Sequence, residues 1–263
     1  MTANPPPDTR NEAFWLDYLT NGKSTEHRMR LVFKRLPRSP RCRLCAAPFA
    51  GIGGSVMGLI GRSPSGANPN MCEACFTFLG KHHGGAEIEC TMLFADIRGS
   101  TTLAESMSST DFHQLLDRFY TVASGVVFDH DGTVDKFVGD ELVAMFFPLL
   151  SGDRHAASAV EAARALLRAV GHGEVGGPWV PLGAGIHTAR TWFGAVGQGP
   201  HIELTALGDA VNTTARLASL AAAGEILVTT DAATAAGLDP GLERRHLELK
   251  GKQLTTEVVS LRV

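Results

Sequence analysis

Two aspartates and two pairs of cysteines are the residues of this chain whose types and spacing could do chemistry. Asp96 sits next to the end of an apolar run, Ile88–Ile97 (IECTMLFADI), and Asp140 sits in the short turn that interrupts VDKFVGDELVAMF. An apolar run of this length reads as a buried central strand, so Asp96 would be delivered at a sheet edge. A carboxylate at a strand end with open positions beside it suits magnesium, which keeps water and substrate phosphate as its other ligands. Two ions held this way can grip both the attacking and the leaving oxygen of a phosphoryl displacement. Lys136, Arg216 and Lys250 are available as phosphate partners. The combination points to polyphosphate chemistry.

The cysteines point to a different centre. Cys42 and Cys45 form one CxxC, Cys72 and Cys75 a second, and 26 residues (46–71) separate them. Each CxxC turn lets two thiolates converge, and two turns complete a four-thiolate tetrahedral site of the kind that holds structural zinc. An iron–sulfur cluster is one alternative, because all-thiolate ligation does not separate the two, and redox-active or free thiols are the other. The intervening GIGGSVMGLIGRSPSGANP is rich in Gly and Pro and reads as a looping ribbon. The fifth cysteine, Cys90, lies inside the apolar run and reads as a core residue. His187, between Ile186 and Thr188, reads as a satisfied core histidine, not a base.

The elements that must position these groups follow from periodicity. Phe14, Trp15, Tyr18 and Leu19 suggest a short helix, and Met29, Val32, Phe33 and Leu36 a second. After the first strand, Phe112, Leu115, Leu116, Phe119, Ala123, Val126 and Val127 mark the buried stripe of a long helix. A hairpin follows with Gly139-Asp140 at its tip, then an Ala-rich helix over 153–170. GAGIHT (183–188) is a strand, 208–222 a helix, 225–229 a strand, and 247–263 two strands around a KGK turn. The order β-α-β-β-α-β with extra strands is an α+β, ferredoxin-like sandwich.

Charge divides the chain. Residues 1–84 carry 11 Lys+Arg and 5 Asp+Glu, a balance of +6, whereas the remainder stands at −9. The change of sign coincides with the loop-like KHHGG, so 1–84 is expected to be a small helical, zinc-ribbon-like module and 85–263 a separate domain. Arg28, Arg30, Lys34, Arg35, Arg38, Arg41 and Arg43 form a basic run that could meet nucleic acid or an anionic surface, although the run lacks interleaved aromatics and a solvated helix face is the plainer reading. No apolar stretch is long enough to span a bilayer, and MTANPPPDTR has no signal-peptide core; a cytoplasmic protein is expected.

From about Glu87 to Val263 the chain resembles the catalytic domain of class III nucleotidyl cyclases. LFADIRGST (93–101), DKFVGDELVAMF (135–146), GAGIHTARTWFGAVG (183–197), TALGDAVNTTARLA (205–218) and ELKGK (248–252) carry the likeness, in the family's order. The resemblance implies an adenylate cyclase that makes cyclic AMP and pyrophosphate with two Mg2+ or Mn2+ ions per site. Asp96, Asp140 and the backbone carbonyl of Ile97 match the metal ligands. Lys136 and Thr205 match the purine-selecting positions. Lysine favours adenine, and threonine replaces the aspartate of many members, so exclusion of GTP is expected to be less strict. Asn212 matches the ribose-orienting residue, Arg216 the transition-state arginine, and Lys250 the lysine on the triphosphate. Because such sites draw on two catalytic domains and this chain has one, the resemblance also implies a homodimer. A guanylate cyclase, an inactive cyclase-like signalling module and a zinc-ribbon nucleic-acid binder are the competing readings.

Overall fold

The computed structural model describes residues 9–21, 25–36, 40–197, 202–249 and 255–263. Along the chain run helices α1 (Thr9–Thr20), α2 (Thr25–Lys34), α3 (Gly51–Leu59) and α4 (Glu73–Lys81), strand β1 (Gly84–Ile97), then α5 (Ser100–Ser106) and α6 (Ser109–Asp129). They are followed by β2 (Thr133–Val138), β3 (Glu141–Phe146), α7 (Pro148–Ser151), α8 (His155–Ala169), β4 (Leu182–Val196) and β5 (Glu203–Leu207). The chain ends with α9 (Asp209–Leu220), β6 (Glu225–Thr229), α10 (Thr230–Ala235), β7 (Arg244–Leu247) and β8 (Thr256–Arg262). It forms two compact units: residues 1–88 with 192–207, and residues 89–191 with 208–263. The hairpin of 192–207 therefore groups with the N-terminal segment, which neither charge nor motif order indicates.

The larger unit is the α+β sandwich. Its strands run β2-β3-β1-β4-β6-β8-β7. The first four of these, with the helices that connect them, are the ferredoxin-like core. β1 and β3 are antiparallel, with Asp96 opposite Glu141. β4 and β6 are parallel, so a crossover is required, and α9 supplies it. The alternation expected of a helix on a sheet is present in α6, whose Phe119, Ala123 and Val127 are fully buried against Leu93, Ala95, Leu142 and Phe146. Phe112, Leu115, Leu116 and Val126 of the expected stripe are only half-buried at its margin. The Ser108 hydroxyl accepts from the Asp111 amide (3.1 Å) and caps α6. Gly185 admits α9: a Cβ there would lie 2.4 Å from the Ala218 nitrogen. The first of the two expected terminal strands lies earlier than its apolar residues suggest, at Arg244–Leu247, and the KGK turn is outside the described residues.

Glu225 ties β6 to β7 and β8. Its buried carboxylate accepts from the Ala222 amide (2.9 Å), the Ser260 hydroxyl (2.6 Å) and the Arg245 guanidinium. Burial alone would raise its pKa, but these three donors outweigh burial and hold it below the ordinary 4.5. A depressed carboxylate pKa stabilises the fold above the unfolded-state value and loses that contribution as pH falls through the folded-state value. Glu225→Gln is therefore expected to cost about 2 kcal/mol at neutral pH. Denaturant titrations should show the gap to the parent protein closing below about pH 4.

The smaller unit has little sheet. Trp15, Tyr18 and Leu19 of α1 are buried as expected, and Phe14, Trp15 and Tyr18 pack on Phe78 of α4. The Trp15 indole N–H donates to the His82 carbonyl (2.8 Å). Within the α2 stripe, Phe33 is buried but Val32 is exposed. The stretch between the cysteine pairs is not a loop throughout. It contains α3, whose Met57 is buried, despite four glycines within 51–58. Within the basic run, Arg30 and Arg41 depart from both sequence readings, while Arg28 and Arg35 are exposed as a solvated helix face requires. Arg30 is buried and donates to the Leu44 carbonyl (3.0 Å), and Arg41 donates to the Phe33 carbonyl (2.8 Å), so these guanidiniums satisfy main-chain oxygens inside the unit. No helix among the described residues is long and apolar enough to cross a membrane.

Candidate active site

In the larger unit, β1 ends at Ile97 and the β2–β3 hairpin turns at Gly139-Asp140. Gly139 takes φ +60, a left-handed conformation that a side chain would strain. The turn is held by Tyr120 of α6, whose hydroxyl donates to the Gly139 carbonyl and whose ring stacks on Phe137 at 3.9 Å. This anchoring brings the Asp140 carboxyl within hydrogen-bonding reach of Asp96. Glu141 joins them, because directly opposed residues of antiparallel strands share a face.

Three carboxyls in one place repel. Burial first, then the hydrogen bond with Asp140, raises Asp96 from 3.8 to about 6. Burial first, then the charges of Asp96 and Asp140, raises Glu141 from 4.5 to about 7. The cluster thus calls for positive charge. In the structure that charge is Arg98, whose guanidinium bonds the Asp96 carboxylate and also donates to the Ser219 carbonyl at the end of α9 (2.5 Å). Its backbone N–H donates to the Pro181 carbonyl (2.8 Å). Sequence reasoning missed Arg98, Glu141 and Tyr120. Arg98 and Glu141 flank the two aspartates in sequence, and that adjacency was the available signal.

An all-oxygen set of two aspartates and the Ile97 carbonyl fits a hard divalent cation such as Mg2+ or Mn2+. Lys136 lies on β2 opposite Val143, largely exposed, with its ammonium 3.6 Å from Asp135. Asn212 and Arg216 lie one turn apart on α9, on one face, the first exposed and the second half-buried. His187 bonds the Thr229 hydroxyl (3.0 Å), as a satisfied histidine should. Cys90 is fully buried, which pushes its thiol up to about 12. Lys250 falls outside the described residues.

Thr205 belongs to the other unit. It is buried on β5, opposite Gly194 of β4. The same unit holds the four cysteines, all buried, with sulfurs within 4.8 Å of one another. Cys45 and Cys72 Sγ are 3.7 Å apart, and the Cys72 amide donates to Cys42 Sγ (3.3 Å). Arg62 approaches Cys72 and Cys75 Sγ at 3.9 and 4.0 Å. Hydrogen bonds from the other three cysteines hold the Cys42 thiol well below its ordinary value, while bonds donated toward Cys42 push Cys45 and Cys75 up. Among the described residues, these four sulfurs form a site that could hold a metal ion.

A family model described as the adenylate and guanylate cyclase catalytic domain matches residues 85–260. Adenylate cyclase 1 of Rhizobium meliloti is 35% identical over 144 residues, covering 52% of this chain and 22% of the relative. The chain spans less than a third of the length of such curated relatives. Among solved structures, the guanylyl cyclase Cya2 superposes with a TM-score of 0.61 at 25% identity, covering 67% of this chain and 93% of that one. The adenylyl cyclase CyaB from P. aeruginosa superposes with a TM-score of 0.58 at 26% identity, covering 68% and 96%.

Proposed function

Because the chain belongs to the adenylate and guanylate cyclase catalytic domain family, we propose that it converts ATP to 3′,5′-cyclic AMP and pyrophosphate, as an intracellular signalling enzyme of the cytoplasm. The meeting of the Asp96 and Asp140 carboxyls at the ends of neighbouring strands carries this reading. Asp96, Asp140 and the Ile97 carbonyl would hold two Mg2+ or Mn2+ ions. When bound, such ions supply Lewis-acid stabilisation of the charge that develops on the reacting oxygens.

The chain's own residues do the rest. Arg98 pairs with Asp96 and offsets part of the charge of the acid cluster. Lys136 donates to an acceptor on the purine edge, and the Thr205 hydroxyl accepts from the adenine amino group. Asn212 orients the ribose so that its 3′-oxygen lies in line with the α-phosphorus, a gain of positioning. Arg216, one turn further along the same helix face, places its fixed charge against the phosphate oxygens, and Lys250 takes the triphosphate tail. The purine and phosphate contacts come from a second copy, which makes the working form a two-fold homodimer with two equivalent sites. Residues 1–84 form its regulatory or bracing module and 85–263 its catalytic domain.

The four cysteines would hold zinc. Tetrahedral zinc with sulfurs at about 2.3 Å sets them about 3.8 Å apart, and the Cys45–Cys72 separation is 3.7 Å. Elemental analysis distinguishes zinc from iron.

Incubation with ATP and Mg2+ or Mn2+, with cyclic AMP and pyrophosphate as readouts, tests the reading; no product from folded dimer overturns it. Guanylate cyclase activity is the second reading, favoured by a threonine at 205 and the likeness to Cya2. Lys136→Glu removes the adenine donor and offers guanine an acceptor. It should lower kcat/KM for ATP relative to GTP by about a hundredfold, measured with both nucleotides in competition.

A further inference from the structure

The two CxxC turns and the strand that bears Thr205 lie in one compact unit. Arg43 sits between the cysteines of the first turn. Its backbone N–H donates to the Asn70 carbonyl (3.0 Å), two residues before Cys72, and so stitches the first turn to the second. Its guanidinium reaches across the chain and donates to the Leu204 carbonyl of β5. Leu204 is fully buried and immediately precedes Thr205. β5 pairs along one edge with β4, from Trp192 opposite Leu207 to Val196 opposite Glu203. An edge strand offers unpaired carbonyls on its other side, and Arg43 satisfies one of them.

The second turn reaches the same hairpin by another route. α4 begins at Glu73, directly after Cys72, and includes Cys75. The Ile202 side chain lies beside Gly80 of that helix. Just past its end, the His83 imidazole bonds the Gly197 carbonyl at the same, loop end of the hairpin (2.6 Å). Gly85 and Gly194 come so close that a Cβ on either would lie under 2.5 Å from backbone of the other segment. The hairpin is thus held at its loop end and near its centre by Arg43 and by the segment that follows Cys75.

We propose that the four-cysteine site is a metal-dependent brace for the purine-contact strand. The metal locks the two turns together, and Arg43, a positioning residue, transmits that geometry to β5 and sets the position of Thr205. The inference rests on the cyclase and metal readings above. Loss of the thiolate-bound metal would loosen β5 and change purine discrimination without touching the acid cluster of the larger unit.

Hydrogen exchange of the full-length protein tests this. Four samples are compared: the parent protein, the parent stripped by a chelator and returned to Mg2+, Arg43→Ala, and Arg43→Lys. Arg43→Ala should speed exchange of the 203–207 amides by about tenfold, and stripping by at least that much, while both leave the 133–146 hairpin unchanged. Arg43→Ala should keep its metal by elemental analysis yet shift the ATP-to-GTP ratio of kcat/KM by about threefold, mainly through KM. Arg43→Lys should restore part of both. Unchanged exchange at 203–207 in a metal-free parent, or in Arg43→Ala, overturns the brace, as does a parent protein with no metal on its cysteines. If Arg43→Ala unfolds, exchange at 133–146 rises too, and the stripped and Arg43→Lys samples decide. A parent that makes no cyclic nucleotide sinks the proposed function, while the exchange data still judge the brace.

Discussion

Asp140→Asn and Asp96→Ala are each expected to lower cyclic nucleotide formation by at least about a thousandfold, the scale of losing a preorganised electrostatic contact in a water-poor site. Neither change should unfold the protein. Burial and the Asp140 carboxyl already push Asp96 up to about 6, so the ionised cluster is a strained arrangement. Removing one charge relieves repulsion, and the thermal midpoint of Asp140→Asn should match or exceed that of the parent. Inactivity together with retained stability separates a ligand role from a structural one; a variant that melts early and loses activity in proportion would contradict it. The shared-site proposal adds a sharper form of the experiment. Asp96→Ala and Arg216→Ala should each be inactive alone, yet mixing them should restore about a quarter of parental activity, because half the dimers are mixed and each has one intact site. No recovery from verified heterodimers would refute shared sites.

Cys42→Ser is expected to collapse the smaller unit. Structural zinc held by thiolates contributes about 10–16 kcal/mol of apparent binding free energy, which exceeds the stability of a typical domain. The unit's own apolar core is modest, built on Trp15, Leu19, Met71 and Leu79, and cannot replace that contribution. Stripping the metal should release one equivalent per chain, lower far-ultraviolet helical signal and open residues 9–81 to protease. Arg62→Ala should be milder. Four thiolates and a divalent ion leave a net charge of −2, and Arg62, close to Cys72 and Cys75 Sγ, offsets part of it. Its removal should weaken metal retention by roughly tenfold, within the range seen for outer-shell partners. A Cys42→Ser protein with unchanged metal content and melting would show that the cysteines hold no ion.

Several elements of this protein are local consequences of its sequence. The β1 run, the hairpin turning at Gly139-Asp140, β6 at 225–229 and the helices α6, α8 and α9 all announce themselves by apolar period and turn residues, because each buries a face that its own pattern defines. Each CxxC turn likewise converges its own two sulfurs, whereas the meeting of the two turns in one cluster is tertiary. Where propensity and packing disagree, packing prevails. The glycine-rich segment after the first cysteine pair forms α3 despite its poor helix propensity, with Met57 buried and the backbone at Gly54 so close to Phe49 that a Cβ there would lie 2.5 Å from its carbonyl carbon. β5 carries no strand-length apolar run of its own and exists through pairing with β4.

What only the tertiary structure decided are partnerships between distant residues. Glu141 joins Asp96 through the register of β1 and β3, Arg98 bridges Asp96 to the end of α9, and Arg43 reaches a carbonyl 161 residues away. Each of these depends on where separate segments meet, which no local spacing encodes. The sequence by itself determined the two sets of reactive groups, acidic side chains at strand ends and four cysteines in two CxxC pairs. The fold decided which cations attend them, because a charge in a low-dielectric site requires its counter-charge to be placed by the surrounding packing.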